Sequence, residues 1–232
     1  MTEIQIAAIL GASVVPSLLW LAYFMQAGGD RRLSHGVLFF LAGMVAAPVA
    51  WLLFSAIELA PFYAQLSEAD TVSKAKRFAY TIFAIGPIEE MSKFIVFWTV
   101  IRLLPVKAEQ IRSTLLWSAA VGLGFASVEN WYYMFKVEEI AWARALTLPF
   151  NHVLFCSFWG VGFARASQGR RIWLITTLLL AIVYHGLYDY ILLSDSISPL
   201  FILPIVLLLY IWLSVNLRRD KMALAESERQ GD

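Results

Sequence analysis

The sequence predicts an all-α fold, a polytopic bundle of about seven transmembrane helices. Two observations support this fold class. Hydrophobic residues make up 60% of the 232 residues and charged residues only 15%, whereas soluble domains are about half apolar and about a quarter charged. In addition, apolar runs of roughly 20 residues, the length that crosses a bilayer as an α-helix, recur along the whole chain. The chain is therefore expected to be a multi-pass membrane protein surrounded by lipid.

Seven apolar runs are the predicted spans, and they form a single transmembrane domain over residues 1–217, followed by a cytoplasmic tail over residues 218–232. The third span contains Gly86–Pro87, and proline removes a backbone hydrogen bond from a helix. We therefore expect a kink or break just before Glu89 and Glu90. In chain order the spans are Ile4–Met25, Gly36–Ile57, Phe78–Leu104, Thr114–Phe135, Pro149–Ala166, Ile172–Leu193 and Pro199–Leu217.

The distribution of basic residues predicts the orientation of the bundle, because Lys and Arg collect in cytoplasmic connections. One set of alternate connections, with the tail, carries 12 basic residues and the other set carries five. The N-terminus is therefore predicted outside and the C-terminus in the cytoplasm. The larger set is Arg31, Arg32, Arg102, Lys107, Arg112, Arg165, Arg170, Arg171, Arg218, Arg219, Lys221 and Arg229, and the smaller is Lys74, Lys76, Arg77, Lys136 and Arg144.

Composition also excludes two classes of function. The formal net charge is +1, and the basic residues are dispersed at the ends of apolar runs, so no basic face is available for a nucleic acid. The single cysteine, Cys156, excludes an intrachain disulfide and a multi-cysteine metal site.

Apart from Arg102 and Arg165 at the ends of their spans, five charged residues lie inside predicted spans, and two histidines accompany them. A charged side chain at the centre of a membrane helix costs about 2.5–3.5 kcal/mol, so the five would cost on the order of 10 kcal/mol if unpaired. They must pair, face water, bind a metal or be neutral. These residues are Glu89, Glu90 and Lys93 in the third span, Glu129 in the fourth, His152 in the fifth, and His185 and Asp189 in the sixth.

Helical periodicity predicts that these groups face one another. Residues four apart share a helix face, and small residues mark the faces along which membrane helices pack. At the helical rise per residue, the polar groups of the fourth, fifth and sixth spans lie within about 12 Å of the outer membrane boundary. The sequence thus predicts one polar chamber that opens to the extracytoplasmic side. The ladders are Ser118, Gly122 and Ala126, continued on that side by Glu129 and Asn130; His152, Cys156, Gly160 and Ala164; and Thr177, Ala181, His185 and Asp189.

These residue types suit the hydrolysis of a peptide bond. Two histidines and a carboxylate can bind Zn²⁺ and leave a position for water. Glu129, His152 and His185 are the predicted ligands, and Asp189 would orient His185 or join the ligands.

The glutamate pair of the third span would supply the general base. Glu89 or Glu90 would take the proton from water. Adjacent residues on a helix point about 100° apart. We therefore expect one glutamate to face the chamber and the other to hold Lys93 or a neighbouring helix.

Two other classes of function use the same residue types. Buried Glu, His and Asp also form proton relays, so a proton-coupled transporter is an alternative, although the inverted repeats typical of such carriers are not evident. A non-enzymatic receptor or scaffold could instead bind a ligand in the chamber. Exchanging carboxylates for amides would preserve signalling by a receptor but inactivate a protease.

Four short motifs resemble those of the PrsW family of intramembrane proteases, relatives of the CAAX prenyl-protease and bacteriocin-processing group. The resemblance covers roughly Phe78 to Tyr190, and Val128 stands where the second motif has phenylalanine. In chain order the matches are EExxK at Glu89, Glu90 and Lys93 in "EEMSK", FExxxY at Glu129 and Tyr133 in "VENWYY", a histidine motif at His152 in "NHVLFCSFWG", and a histidine followed four residues later by Asp or Asn, at His185 and Asp189 in "HGLYD".

The resemblance implies a bacterial membrane endopeptidase with a catalytic core over about residues 78–190. Its substrates would be membrane-anchored proteins, since the family's best-known role is the first, extracytoplasmic cut of a membrane-spanning anti-sigma factor. Related enzymes are described both as zinc proteases and as glutamate proteases that need no metal, and this sequence supports either. The implied catalytic residues are Glu89, Glu90, Glu129, His152, His185 and Asp189, with Lys93 and Tyr133 in supporting roles.

Overall fold

A computed structural model describes residues 1–28, 33–58, 73–104, 111–194 and 197–230. Within these ranges the chain forms helices joined by short turns, and none of the described residues lies in a β-strand. The predicted all-α fold is confirmed. In chain order the elements are α1 (Glu3–Gly28), α2 (Leu33–Glu58), α3 (Lys74–Tyr80), a π-helical turn (Thr81–Ile85), α4 (Gly86–Leu103), α5 (Ile111–Val137), α6 (Trp142–Ser167), α7 (Ile172–Leu192), a 3₁₀ turn (Pro199–Phe201) and α8 (Ile202–Gln230).

Six helical segments are long and apolar enough to cross a membrane, and they match six of the seven predicted spans. They are α1, α2, α5, α6, α7 and the segment Pro199–Asn216, which includes the start of α8. The remaining predicted span is the continuous helix over residues 74–103, whose charged residues make it less apolar. The orientation of the termini and the division into a domain and a tail stay predictions.

The centre of the bundle is formed by α5 and α6, which are buried over most of their length. α5 packs against α1, α2 and α6, whereas α6 packs against α5, α7 and α1. α4 packs against α2 and α7. Aromatic rings fill the space between α4 and the central helices, as at Phe97 and Trp159, whose ring centroids are 4.9 Å apart. This arrangement turns the charged part of α4 toward the interior.

Two of the three predicted small-residue ladders, those on α5 and α6, lie at the contact between these helices. A Cβ atom on Gly122 would come within 2.8 Å of the carbonyl oxygen of His152, and one on Gly160 within 2.3 Å of Oγ of Ser118. These distances leave no room for a larger residue, so small residues allow the two helices to approach closely. His152 is thereby held at the closest part of this contact.

The predicted irregularity at Gly86–Pro87 is a π-helical turn rather than a break. α3 continues through the turn into α4, and the backbone N–H of Gly86 donates to the carbonyl of Thr81, five residues earlier. Pro87 lies in the first turn of α4 and has no N–H to donate. The wider turn accommodates it, and such turns are frequent at functional sites. The extra residue in this turn also rotates α4 relative to α3, which changes the direction of the glutamates.

Two glycines allow α4 and the π-helical turn to cross α7 closely. A Cβ atom on Gly86 would lie 2.4 Å from the carbonyl oxygen of Ile182, and one on Gly186 would lie 2.6 Å from that of Thr81. Gly86 is one helical turn before Glu90, and Gly186 follows His185 directly. The crossing therefore brings the glutamate pair to His185.

The predicted start of the fifth span is wrong. α6 begins at Trp142, so Pro149 lies inside it rather than at its start. Consequently Arg144, predicted in a connection, lies in the first turn of α6, and His152, predicted at the outer end of the span, lies in the third turn. Proline is tolerated inside a membrane helix because neighbouring groups can satisfy the backbone it leaves unpaired.

Candidate active site

The polar residues predicted to share a chamber meet between four helices. α4 contributes the glutamate pair and its lysine, α5 contributes one glutamate, α6 one histidine, and α7 a histidine and an aspartate. Each one contacts another through its side chain. The residues brought together are Glu89, Glu90, Lys93, Glu129, His152, His185 and Asp189.

Glu90 is completely buried, and both of its carboxylate oxygens are bound. Oε1 lies 2.9 Å from Nζ of Lys93 and 2.7 Å from Nδ1 of His185. Oε2 accepts a hydrogen bond of 2.9 Å from the indole Nε1–H of Trp159. This carboxylate therefore joins three helices, α4, α6 and α7, and has no open side for water.

Glu89 lies beside Glu90 but faces a different part of the site. Its Oε2 atom is 3.3 Å from Nζ of Lys93 and 3.6 Å from Nε2 of His185. Its side chain is 11% exposed, in contrast to the fully buried Glu90. The expected difference between the two glutamates is thus present in their environments.

Lys93 is a fully buried cation with three polar contacts. Nζ lies 3.3 Å from Glu89, 2.9 Å from Glu90 and 2.8 Å from Nδ1 of His152. The ammonium group has three donors, so these contacts use all of them. Nζ also lies 4.1 Å from the ring centroid of Phe125, a favourable cation–π distance.

His152 has a polar partner at each ring nitrogen. Lys93 approaches Nδ1, and Oε2 of Glu129 lies 2.8 Å from Nε2. Because an ammonium group can only donate, Nδ1 accepts from Lys93 and Nε2–H donates to Glu129. His152 is therefore arranged as a neutral imidazole in one tautomer.

His185 is oriented by Glu90 and by an aromatic ring. Its Nδ1 is engaged by Glu90, and its ring stacks on that of Phe155 with centroids 4.7 Å apart and 12° between the planes. This leaves Nε2 directed toward two carboxylates, 3.6 Å from Glu89 and 3.5 Å from Asp189.

Glu129 bridges His152 and a residue that sequence reasoning did not assign to the site. Its Oε1 atom lies 2.5 Å from Nη2 of Arg144. The guanidinium of Arg144 lies 4.5 Å from the ring centroid of Tyr133, which is the tyrosine of the second motif. Tyr133 therefore contacts this group of residues through Arg144, and its supporting role stays a prediction.

One group among the described residues has the geometry to hold a metal ion. Ligand atoms of Glu89, His152 and His185 all lie within 4.8 Å of one another. Two of these residues belong to the predicted ligand set, and Glu89 takes the place of Glu129. The assignment of Glu129 as a ligand stays a prediction.

The charges of the site also suit a cation. Within the described part of the chain, four carboxylates, from Glu89, Glu90, Glu129 and Asp189, face two basic side chains, Lys93 and Arg144. With neutral histidines, a divalent ion or two protons would balance the site. Uncompensated charge inside a membrane protein is costly, so this excess of negative charge favours binding of a cation.

Exposure increases toward one end of the bundle. Glu90 and Lys93 are fully buried, whereas the side chains of Glu129, Arg144 and Asp189 are 23%, 25% and 19% exposed. These three residues lie near the end of α5, the start of α6 and the end of α7. The site is therefore accessible from the end of the bundle where α5 connects to α6.

The structure adds three contacts that sequence reasoning missed, at Arg144, Trp159 and Phe155. Trp159 is seven residues after His152, a spacing that places both on one helix face and could have indicated its role. Arg144 could have been found as one of two basic residues near the connection that follows Glu129. No local signal distinguishes Phe155 from the other aromatic residues of α6.

Comparison with known proteins finds a family match over most of the chain. Residues 31–215 match the model of a family described as PrsW family intramembrane metalloprotease. A protein named Protease PrsW from Bacillus subtilis is 28% identical over 225 residues, which cover 93% of this chain and 95% of the relative. Its counterpart in Halalkalibacterium halodurans is 27% identical over 219 residues, 90% of this chain and 94% of the relative.

A shorter match reaches higher identity. The protein of the same name from Geobacillus kaustophilus is 38% identical over 86 residues, 35% of this chain and 38% of the relative. No solved structure matches the chain.

Proposed function

Because the chain belongs to the PrsW family of intramembrane proteases and is a membrane-embedded protease, we propose that it cleaves membrane-anchored proteins at a centre formed by Glu89, His152 and His185. The observation that carries this proposal is the convergence of ligand atoms from these three residues within 4.8 Å of one another. They lie on three different helices, so only the folded bundle assembles them.

The residues of this centre fit a zinc ion. Nδ1 of His185 is engaged by Glu90, which leaves Nε2 available as a ligand, the usual arrangement of a metal-binding histidine and its carboxylate partner. The distance of 3.6 Å from Nε2 to Glu89 is too long for a hydrogen bond. It is close to the separation of roughly 3.3 Å expected between two ligands of one tetrahedral zinc ion. A bound zinc ion would act as a Lewis acid that polarises the scissile carbonyl.

His152 can join such a centre only if one of its contacts opens. Both ring nitrogens are engaged, by Lys93 and by Glu129. Nε2–H donates to Glu129, and a metal-binding histidine usually gives its other ring N–H to a carboxylate, so Nδ1 carries the lone pair that an ion would use. His152 would therefore become available as a ligand when Lys93 moves away from Nδ1.

The glutamates have different roles in this proposal. Glu89 is the member of the pair placed to bind the ion, because its carboxylate is partly exposed and lies 3.6 Å from Nε2 of His185. In a reaction without metal, the same carboxylate would take the proton of the attacking water. Glu90 orients His185 and neutralises Lys93, because its oxygens are fully engaged by buried partners.

Cleavage is proposed to occur on the extracytoplasmic side, in a membrane-spanning anti-sigma factor or a similar single-pass protein. The accessible end of the site lies at the α5–α6 connection, which the distribution of basic residues predicts outside. The family resemblance supports the substrate class. The two other functions considered from the sequence, a proton-coupled transporter and a receptor, have no observation in their favour beyond the buried polar residues themselves.

The experiment combines metal analysis with cleavage. The full chain is purified in detergent, its zinc content is measured by mass spectrometry, and cleavage of a panel of single-pass membrane proteins is followed with and without chelator. Zinc bound in equal amount to the protein, and lost together with cleavage in His185→Ala, supports the metal centre. Cleavage that ignores chelator but is abolished by Glu89→Gln would instead assign a glutamate protease. Well-folded protein that cleaves none of the panel and binds no zinc would contradict the proposal.

A further inference from the structure

We propose that Arg144 is a positioning residue of the protease, which holds Glu129 against His152. This inference rests on the function proposed above, because it assumes that His152 belongs to the reacting centre. Arg144 lies outside the four motifs that carry the family resemblance. Its contacts are the reason to place it in the site.

The carboxylate of Glu129 is held at both oxygens by two residues of α6. Oε1 lies 2.5 Å from Nη2 of Arg144, and Oε2 lies 2.8 Å from Nε2 of His152. Two contacts at separate oxygens fix the plane of the carboxylate as well as its position. Without Arg144, a side chain that is already 23% exposed would be free to rotate toward water.

Arg144 is itself held in place by Tyr133. The guanidinium lies 4.5 Å from the ring centroid, and a planar guanidinium stacks on an aromatic face in a way that the ammonium of lysine does not reproduce. Tyr133 follows Glu129 by four residues, so both lie on the same face of α5. Arg144 thus reaches from α6 to two successive turns of α5.

Arg144 affects the reacting centre through the ring of His152. While Glu129 accepts from Nε2–H, the lone pair of His152 is on Nδ1, directed at Lys93. Loss of Arg144 would release Glu129, and His152 would then no longer be held in one tautomer and one orientation. Partners of this kind change activity or metal affinity by about 10–100-fold when they are removed.

The chain offers a matched control for the charge of Arg144. Lys136 is exposed on the last turn of α5, at the same end of the bundle as the accessible side of the site. Lys136→Gln removes one positive charge near the site, as Arg144→Gln does, but without changing the partners of Glu129. Any effect of general electrostatics should appear in both variants.

The test is a double-mutant cycle on the reconstituted full chain. Arg144→Gln, Glu129→Gln, the double variant, Arg144→Lys, Lys136→Gln and His152→Ala are compared for kcat and KM on a single-pass substrate. The rate at which zinc-loaded protein releases zinc to a chelator is a second readout. Size-exclusion profiles and thermal unfolding identify any variant that does not fold.

Arg144→Gln is expected to lower kcat by about tenfold or more, with KM little changed, and to accelerate zinc release. Arg144→Lys should recover part of the loss, and Lys136→Gln should behave as wild type. The double variant should match Glu129→Gln alone, because Arg144 acts only through Glu129.

Three outcomes would overturn the inference. The first is full activity of Arg144→Gln beside an inactive His152→Ala, which would leave the proposed centre intact. The second is a double variant whose loss of activity equals the full sum of the losses in Arg144→Gln and Glu129→Gln. The third is an effect of Arg144→Gln on KM alone, which would indicate direct contact with substrate. Full activity of well-folded Glu129→Gln and His152→Ala would reject the proposed centre itself.

Discussion

Nδ1 of His185 lies 2.7 Å from Oε1 of Glu90, whereas Nε2 of the same ring lies 3.6 Å from Oε2 of Glu89. One histidine thus separates the roles of two adjacent glutamates. The buried Glu90 orients the ring, and the more exposed Glu89 lies, like Asp189, near Nε2. This relationship makes Glu89 and Glu90 distinguishable by experiment.

Glu89→Gln and Glu90→Gln should therefore have different effects on activity and on stability. Glu89→Gln removes the carboxylate that would bind the ion or, in a reaction without metal, take the proton of water, and it should lower kcat by about 100-fold or more with little change in stability. Glu90→Gln leaves Lys93 without its nearest carboxylate and should lower the free energy of unfolding by about 1–3 kcal/mol as well as activity. Cleavage in proteoliposomes and thermal unfolding in detergent measure the two effects, with the exposed Glu139→Gln as control. Equal loss of stability in both variants would contradict the assigned roles.

Lys93→Met should destabilise the bundle strongly. It leaves two buried carboxylates and Nδ1 of His152 without the cation between them, and breaking a buried ion pair from one side costs about 3–5 kcal/mol. Unfolding of the variant in detergent measures the loss. The exposed Lys136→Met should change stability by less than about 0.5 kcal/mol. A second change, Glu90→Gln in the Lys93→Met background, should restore part of the stability, and failure to do so would argue against charge as the cause.

Gly86→Ala should separate α4 from α7. The added Cβ atom would lie 2.4 Å from the carbonyl oxygen of Ile182, so the crossing must widen at a cost of about 1–3 kcal/mol. Because this crossing brings Glu90 to His185, activity should fall together with stability. Gly11→Ala is the matched control, since nothing lies within 4 Å of its Cβ position. Both variants are measured by thermal unfolding and by cleavage. Wild-type behaviour of Gly86→Ala would show that the crossing does not position the site.

The predicted orientation can be tested by cysteine labelling in intact cells. The single native cysteine, Cys156, is buried and should give little background. Glu139→Cys in the α5–α6 connection should react with a membrane-impermeant maleimide added outside, whereas Gln168→Cys after α6 should react only after lysis. The reverse pattern would place the accessible end of the site in the cytoplasm and reject extracytoplasmic cleavage.

Local periodicity was sufficient to predict which helices meet at the site. The four-residue spacings of Ser118–Gly122 and His185–Asp189 follow helix geometry, and the close contacts of Gly122 and Gly160 confirm that small residues mark the packing faces. The division of environments between adjacent glutamates also follows from the angle between neighbouring residues of a helix.

Non-local contacts explain what the sequence did not predict. The direction of Glu89 depends on the π-helical turn before Gly86 and on the crossing with α7, so its place beside His152 and His185 has no local signature. The predicted span starts at Pro149 and so leaves Arg144 in a connection, whereas α6 begins at Trp142. The reach of Arg144 across to Glu129 depends on the packing of α6 against α5.

The central claim is that Glu89, with the two histidines, forms the centre at which this membrane protease cleaves its substrates. The most direct measurement is cleavage of a single-pass membrane protein by the purified chain in proteoliposomes, with the cut located by mass spectrometry. We expect wild type to make a single cut near the membrane boundary, and well-folded Glu89→Gln to lose at least about 100-fold of that activity. Equal cleavage by Glu89→Gln and wild type at the same bond would contradict the account.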